Sequence, residues 1–504
     1  NVITKNSDTP GCHTTLRTGY GSYNTWRSSV TNMTRSGKFS SLVSLAYDRT
    51  DGTERNFAFD QKSLYAKVGY DFSENWQARA DYTLVNSIGN DPVYPRLSAP
   101  ESTDIYHQNL IRGEASVSVG NNYAYTNGNV RLYYSYGNHY IDDPRHFHSL
   151  DDRFGLLAYQ NFSLWKGADA TAGFDFDTYT GSIPVSGGNQ HTEGSLSTIG
   201  HKSITEYSPY VTLSQNLFRG SLTLNGGLRM ANSDKFGTQW IPQCGFSLHS
   251  AGVWAFKASV AKGYRNPSFR ELYLYRTANP DLAPEYIHSA EVGYRKTFAQ
   301  SNSLSVNGFY RHRRGTYDLI RVAYEPGVTL DSLINAGVDR TVGLEANLQT
   351  RNTRWWSLTL NGSVFDYKFT ADFIGSTDAT NVSYSASWIN NFTLTPTTRL
   401  QFDANVVGPT VLTQGREEAY CYFDLAIRQQ LLKNKMSLSL VAHDMFHTAR
   451  YDHIRDSQTL KATTFVKPRY PNITLSLSYN FNSSAGKEQK GAVTSGAAFV
   501  GKDF

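Results

Sequence analysis

The sequence lacks any long hydrophobic run. Its 504 residues contain no stretch of 18 or more consecutive apolar residues, so no transmembrane helix is predicted. Helical periodicity is also nearly absent, although a water-soluble chain of this length would normally show helical stretches in two or more domains. These absences argue against a helical membrane protein and against an ordinary soluble globular protein.

Cysteine and recognisable catalytic motifs are scarce as well. Cys12, Cys244 and Cys421 are far apart, and no Cys-x-x-Cys pair occurs, so neither a disulfide framework nor a zinc site is indicated. The net charge of +5 is spread along the chain, which gives no sign of a nucleic-acid partner. Gly-x-Ser-x-Gly, His-Glu-x-x-His and P-loop motifs are missing. The sequence therefore predicts neither an enzyme nor a resident cofactor.

The chain is instead rich in aromatic residues and glycine, and it contains segments in which apolar and polar residues strictly alternate. Aromatic side chains make up 13% of it, with 33 tyrosines, and there are 40 glycines. Near the C-terminus, Ile473, Leu475 and Leu477 alternate with Thr474 and Ser476. The same alternation occurs in residues 64–72, 222–229 and 254–261. It is typical of transmembrane β-strands that face lipid on one side and an aqueous lumen on the other.

The connections between these segments alternate between short and long. Short turns include those at residues 34–37, 73–75, 166–168, 218–220, 249–252, 351–354, 396–398 and 433–434. Long connections lie near residues 50–60, 86–107, 138–151, 179–203, 262–285, 313–335, 367–380 and 446–468. This arrangement predicts tight periplasmic turns on one rim of a barrel and large extracellular loops on the other. We predict an all-β transmembrane antiparallel β-barrel of about 22 strands, a width at which the lumen is normally plugged.

Soluble β-folds account for the pattern less well. A β-propeller would show a repeat of about 40–50 residues with a recurring motif, and none is present. A set of β-sandwiches would not explain why short and long connections alternate along the chain.

Four groups of residues resemble motifs of one protein family, in that family's order. They are Asn1–Lys5 followed by Arg17–Tyr23, the loop Ala261–Tyr273 with Asn279–Glu285, Asn335–Gly337 with Thr341–Glu345, and Val441–Phe446. Together they resemble TonB-dependent outer-membrane receptors, which are plugged β-barrels that import scarce nutrients. The last motif usually carries Asn and Leu where this chain has His443 and Met445.

The resemblance implies a division of the chain into three parts. Residues 1–11 would be the end of a plug and its junction, residues 12–481 the transmembrane barrel, and residues 482–504 a disordered tail rich in Gly, Ala, Ser and Lys. The sequence contains no plug before the junction, so we expect a trimmed, split or truncated product. The implied partners are the TonB complex through that plug, outer-membrane lipids, and a small-molecule or metal-chelate ligand. A lipoprotein lid, as in some nutrient receptors, is left open.

The resemblance further implies import of a large, scarce solute, with an iron–siderophore complex as the default. Haem, cobalamin, copper and oligosaccharide remain alternatives. Residues 264–267 and 279–282 resemble two boxes of haem receptors, but no histidine lies between them. Two interpretations of other classes also remain: a passive porin-like channel, and a surface adhesin or docking barrel.

The candidate substrate-binding residues lie in and beside the 264–286 loop. They are Arg265, Arg270, Tyr273, Tyr275, Arg276 and Tyr286. Arginine pairs bidentately with carboxylate, catecholate or phosphate oxygens, and tyrosine offers flat amphipathic surface. The structural alternative is that Pro267 and Pro280 shape a rim turn which Arg265 ties to neighbouring strands.

Histidines in two long loops are the only candidate metal ligands. His139, His146 and His148 share one predicted loop, and the last loop region holds His443, His447 and His453 together with the thioether of Met445. Imidazole suits copper and haem iron, and His146 and His148 could point to the same side of an extended segment. The preferred interpretation is that these are ordinary solvated loop histidines and that the protein has no metal site.

Overall fold

The fold is built almost entirely from β-strands. A computed structural model describes residues 10–53, 57–92, 105–142, 147–182, 201–250, 252–274, 278–298, 302–325, 328–351, 353–371, 379–412, 415–456, 461–467 and 471–481. The helical elements in these ranges are a 3-10 turn at Phe218–Gly220 and a turn of π-helix at Arg270–Leu274. Within the same ranges, no helix is both long enough and apolar enough to cross a membrane.

The strands are numbered in chain order. The first half of the barrel consists of β1 (Gly11–Gly21), β2 (Thr25–Ser36), β3 (Phe39–Thr50), β4 (Phe59–Asp71), β5 (Trp76–Pro92), β6 (Ile105–Asn122), β7 (Thr126–Ile141), β8 (Phe147–Trp165), β9 (Ala168–Ser182), β10 (Lys202–Leu217) and β11 (Leu222–Ser233). The second half consists of β12 (Gly237–Ser250), β13 (Trp254–Arg265), β14 (Glu285–Phe298), β15 (Asn302–Arg314), β18 (Gly337–Thr350), β19 (Trp356–Ala371), β20 (Ala379–Thr393), β21 (Thr398–Val407), β24 (Tyr420–Leu431), β25 (Met436–His443) and β28 (Asn472–Phe481). Six shorter strands lie outside the barrel: β16 (Tyr317–Glu325), β17 (Val328–Asn335), β22 (Thr410–Leu412), β23 (Gly415–Glu417), β26 (Tyr451–Asp456) and β27 (Lys461–Val466).

Twenty-two strands form one closed antiparallel barrel. Closure occurs where the first strand, β1, pairs with the last, β28, so that Thr14 lies opposite Phe481 and Gly21 opposite Thr474. A closed sheet has no edge strand with unpaired backbone groups, which is what allows strands to cross a lipid bilayer. The predicted architecture is confirmed.

The two faces of the barrel wall differ as the alternation predicts. Val260, Val292, Leu344 and Leu475, from four different strands, are each about half exposed on the outer face. Residues of opposite parity carry the charges, as in the pair between Arg229 on β11 and Asp175 on β9. The barrel therefore has an apolar outer surface and a polar lumen.

The two rims also differ. On the short-turn rim, hairpins close through residues with positive φ, such as Gly37 between β2 and β3 and Gly167 between β8 and β9. The long-loop rim carries the π-helical turn, the β16–β17 hairpin and a small four-stranded sheet made of β22, β23, β26 and β27. Ligand-sized surfaces are therefore found on the long-loop rim.

Several predicted long loops are largely strand. Between residues 138 and 151 the pairing of β7 with β8 continues to Ile141 opposite Phe147. Predicted loops 313–335 and 446–468 contain four of the six short strands of the rim, namely β16, β17, β26 and β27. The other two, β22 and β23, lie between β21 and β24, in a connection that was not among the predicted long ones. Strand pairing continues past the apolar band, where both faces are wet and the apolar/polar alternation that marks a membrane strand disappears.

The predicted ends of the chain fall mostly outside the described residues. The barrel sheet runs from Gly11 to Phe481. Residues 1–9 and the predicted tail 482–504 are not among the described ranges. The assignments of residues 1–11 to a plug junction and of residues 482–504 to a tail stay predictions.

Candidate functional site

The segment between β13 and β14 folds inward across the mouth of the lumen. Its Phe269 is buried and packs edge-to-face on Tyr179 of β9, with ring centroids 4.7 Å apart. A Cβ at Gly181 would lie 2.8 Å from Phe269, so glycine is what lets the aromatic ring approach the wall. Asn266 Nδ2 donates to Glu206 of β10 at 3.0 Å. The segment therefore partly covers the lumen from the long-loop rim.

Local side-chain caps shape this segment. Ser268 donates from its backbone N and its Oγ to the Glu271 carboxylate, at 2.7 and 2.8 Å, in a capping-box arrangement that starts the π-helical turn. Asn279 Oδ1 accepts from the Asp281 backbone N at 2.9 Å, while its Nδ2 donates to the Leu333 carbonyl at 3.0 Å. Ser, Glu and Asn thus act here as turn formers.

Arg265 lies at the centre of a group of hydrogen-bonded polar side chains, the Arg265 cluster, which holds both ends of the segment. Its Nε donates to Glu285 Oε2 at 2.9 Å, and its Nη1 donates to Glu271 Oε1 at 3.0 Å. The guanidinium also stacks over the Tyr317 ring, 4.2 Å from the centroid. Glu285 is buried, so its charge depends on this partner. Arg265 is thus already engaged by protein groups, and its role as a ligand contact stays a prediction.

Tyr317 and Asn335 complete the Arg265 cluster. Tyr317 donates from its backbone N to Glu285 Oε1 at 2.6 Å and from its hydroxyl to the Ala283 carbonyl at 2.8 Å. Burial, followed by the charge of Glu285, raises the pKa of Tyr317, so this hydroxyl stays a donor. Asn335 Nδ2 donates to the carbonyls of Ala283 and Gly315 at 2.9 and 2.8 Å. The Asn-Ala-Gly motif found in the sequence therefore ties the segment to the β16–β17 hairpin.

The other predicted contact residues do not all lie in the same part of the structure. Arg270 is exposed, and Tyr273 packs edge-to-face on Phe269 at 5.5 Å, so both belong to the infolded segment. Tyr286 shares the outer face of β14 with Val292, beneath the Lys262 ammonium at 5.2 Å from its ring. Tyr275 and Arg276 lie outside the described residues. Of the four predicted contact residues within the described ranges, Arg270 and Tyr273 lie on the infolded segment over the lumen mouth.

A cluster that sequence reasoning missed faces Arg270 from the wall. We name it the mouth cluster, and it comprises Arg112 of β6, His139 of β7, Asp151 of β8, Tyr179 of β9 and Arg270. Burial, followed by the charges of Arg112 and Arg270, lowers the pKa of His139. Burial raises the pKa of Asp151, against the effect of Arg112. The cluster therefore holds two permanent cations, a neutral imidazole at pH 7 and one carboxyl group.

Below the mouth cluster the lumen wall carries paired charges. Arg131 lies 3.0 Å from Glu114 and 3.6 Å from Asp81, across β5, β6 and β7. Arg153 Nε donates to Asp177 at 2.7 Å, and Arg229 Nη1 donates to Asp175 at 2.6 Å. These cations are neutralised by carboxylates on neighbouring strands.

The opposite wall carries a second feature, a concavity lined mainly by small polar side chains. Strands β15, β18, β19, β20, β21 and β24 form a concavity of about 530 Å³. Its polar lining is mainly small side chains: Ser305, Asn307, Asn347, Asn361, Ser363, Ser385, Ser387 and Asn405, with Glu345 and Tyr422. This concavity therefore offers hydrogen-bonding groups rather than a cluster of cations.

The candidate metal ligands are not assembled into a site. His139 and His148 lie on opposite faces of the β7–β8 hairpin, because His139 pairs with Ser149 and His148 with Tyr140. His443 Nδ1 lies 2.7 Å from Asp424 Oδ1, and His447 belongs to the following turn with φ 56°. His146 lies outside the described residues. No group of three His, Cys, Asp or Glu side chains that could hold a metal is found in the described ranges.

The family and the solved structures that the chain resembles agree with this architecture. Residues 265–479 match the outer membrane protein beta-barrel family. No curated protein matches the chain in sequence. The structure is similar to three solved proteins: the siderophore receptor PirA from Pseudomonas aeruginosa (TM-score 0.73, 12% identity, 94% of this chain and 82% of that chain), the FrpB iron transporter from Neisseria meningitidis (0.75, 13%, 94% and 82%), and a variant of the ferric enterobactin receptor PfeA from Pseudomonas aeruginosa with enterobactin (0.74, 14%, 94% and 82%).

At such low identities the likeness establishes the fold. It also orients the barrel, since outer-membrane proteins place short turns in the periplasm and long loops outside. The mouth cluster is therefore at the extracellular end. The chain is an outer-membrane protein whose 22-stranded β-barrel has the fold of TonB-dependent receptor barrels.

Proposed function

We propose that the protein is an energised outer-membrane receptor that imports an anionic metal chelate, most simply a ferric siderophore. The observation that carries the proposal is the mouth cluster, in which Arg112 and Arg270 converge on the extracellular opening of the lumen. The structurally similar proteins are a siderophore receptor, an iron transporter and a ferric enterobactin receptor, which supports the same class of ligand.

The chemistry of the cluster suits a flat, multiply charged anion. Arginine forms charge-assisted, bidentate hydrogen bonds with catecholate and carboxylate oxygens. Tyr179, Phe269 and Tyr273 supply an aromatic surface beside these cations. Asp151 is the one carboxyl group of the cluster, and the two arginines outnumber it. An anion entering the mouth would therefore replace water with cationic and aromatic contacts.

Import then requires a path past the infolded segment. Residues 266–274 and 278–284 are tied to the wall by a hydrogen bond to Glu206 and to the β16–β17 hairpin by hydrogen bonds to Leu333 and Asn335. An open path needs these contacts to be released or bypassed. The resemblance to TonB-dependent receptors implies that the inner membrane supplies this energy through a plug. The residues of this chain would supply ligand capture at the mouth and the wall of the path.

Equilibrium binding tests the ligand assignment. Purified protein is titrated with ferric catecholate and ferric hydroxamate siderophores, haem and cobalamin, with tryptophan fluorescence as the readout. We expect an anionic ferric chelate to bind most tightly.

Arg112→Gln combined with Arg270→Gln is expected to weaken that binding by at least about tenfold, because each lost charge-assisted hydrogen bond is worth about 1.5–3 kcal/mol. Arg295→Gln, a lumen-face arginine near the periplasmic end of β14, is the matched control.

Uptake measurements separate the proposal from its rivals. Saturable uptake of the iron chelate that stops with a proton uncoupler is expected. Uptake that rises linearly with concentration and ignores the uncoupler would identify a passive pore. Tight binding to a macromolecular ligand without any uptake would identify a docking barrel.

A further inference from the structure

Five basic residues form a continuous row on the outer face of the barrel. This basic rung consists of Lys262 on β13, His288 on β14, His312 on β15, Arg340 on β18 and Lys368 on β19. Each member lies directly opposite the next across adjacent strands, without a gap. Directly opposed residues of an antiparallel sheet have Cβ atoms about 4.5–5.5 Å apart. Five basic side chains are therefore neighbours on one surface.

The rung lies at the extracellular edge of the apolar band. One step towards the periplasm, the same face carries Val260, Tyr310 and Val342, and all three are exposed. Counted from the periplasmic ends of their strands, Lys262 is 8 residues above Trp254 and Lys368 is 12 above Trp356. A transmembrane β-strand needs about 9–11 residues. The rung therefore runs obliquely along the extracellular edge of the span, from just inside it at Lys262 to just above it at Lys368.

The charge of the rung is poorly compensated by the protein. Like charges placed directly opposite one another destabilise a sheet. Glu291 and Asp339 are on neighbouring positions, but they face the lumen and pair there with Arg311 and Arg313. Across these five strands, all within the described ranges, Asp366 is the single acidic residue on the outer face, one step below Lys368. The row thus keeps a net positive charge.

The middle of the rung also has an unsatisfied hydrogen-bonding group. Arg314 Nε donates to His312 Nε2 at 3.1 Å, so the other ring nitrogen of His312, Nδ1, carries the hydrogen. That Nδ1 is buried and has no hydrogen-bond partner among the described residues. A buried donor without an acceptor is costly. Because this nitrogen has no exposed surface, an oxygen from outside the protein would meet the exposed Arg314 guanidinium beside it, which adds a sixth basic side chain to the row.

We propose that the basic rung binds the phosphate groups of a lipid in the outer leaflet. The row supplies cations at head-group level, and the apolar face beneath it supplies a surface for acyl chains. A juxtamembrane Lys or Arg contributes roughly a fivefold gain in binding to an anionic membrane surface. A bound phosphate would also relieve the repulsion among Lys262, Arg340 and Lys368. This inference is independent of the ligand that the lumen carries.

Lipid binding to the purified, delipidated barrel tests the proposal. Protein in neutral detergent is titrated with lipid A, which carries phosphate groups, and with phosphatidylcholine, and bound lipid is counted by native mass spectrometry. The variant Lys262→Gln/Arg340→Gln/Lys368→Gln is expected to bind lipid A about 100-fold more weakly at low salt. The control Lys166→Gln/Lys296→Gln/Arg354→Gln removes the same charges at the periplasmic end and is expected to bind like the unmodified protein.

Three outcomes would overturn the proposal. The first is equal lipid A affinity for the rung variant and the control. The second is equal affinity of the unmodified protein for phosphatidylcholine and lipid A. The third is displacement of lipid A by millimolar inorganic phosphate, which would make the row a site for free phosphate. Unchanged β-sheet circular dichroism and unchanged binding of the lumen ligand show that the rung variant is still folded.

Discussion

Val364→Arg is expected to destabilise the barrel by about 2–4 kcal/mol, whereas Ser363→Arg on the same strand is expected to be tolerated. Val364 is exposed on the outer face of β19, between Leu344 and Tyr384, which are also exposed. An arginine facing lipid near the middle of the membrane costs roughly 2–4 kcal/mol. That is a large share of the stability of a typical protein, which is about 5–15 kcal/mol.

Positions 363 and 364 are adjacent on β19, but Ser363 faces the lumen whereas Val364 faces lipid. The Ser363 Oγ lies 2.7 Å from Ser385 Oγ on the lumen side. Losing that hydrogen bond costs about 1 kcal/mol, and the new guanidinium would remain in water. Urea unfolding of both variants in lipid vesicles measures the difference. Equal destabilisation by the two substitutions would contradict the assignment of the faces.

The barrel was predictable because its two faces obey a rule that is local in sequence. Ile473, Leu475 and Leu477 alternate with Thr474 and Ser476, and the face that each of these residues occupies on β28 follows from that alternation. The rule fails where both faces are wet. For that reason the extended pairing of β7 with β8 beyond the membrane, which places His139 and His148 on strands, was not predicted.

The candidate site was only partly predictable because its members come from distant segments. Arg270 belongs to a recognisable loop, but Arg112, His139 and Asp151 are single residues on three strands whose lumen parity is their only common signal. The basic rung is similar, since Lys262 and Lys368 become neighbours in one row only through four successive strand registers. Sequence gives the face of each residue, and the register decides which residues meet.

Arg265→Met is expected to release the infolded segment without unfolding the barrel. The substitution leaves the buried Glu285 carboxylate without its cationic partner, and breaking a buried ion pair costs about 3–5 kcal/mol. Arg265 is half exposed, so water would reduce that penalty to about 2–3 kcal/mol. The cost falls on the contacts of residues 266–284, and we expect faster hydrogen exchange at the amides of Ala283 and Tyr317, which donate to Asn335 and Glu285.

Two further variants decide what Arg265 does. Arg265→Met with Glu285→Gln removes the stranded charge while keeping an acceptor for Tyr317 N, so amide protection is expected to recover in part. Arg295→Met, on the lumen face of β14 far from the Arg265 cluster, is expected to leave hydrogen exchange at these amides unchanged. If Arg265→Met weakened ligand binding while the amides of Ala283 and Tyr317 stayed protected, Arg265 would be a ligand contact. Because its guanidinium already serves Glu271, Glu285 and the Tyr317 ring, we expect the loss of protection instead, with ligand binding impaired as its consequence.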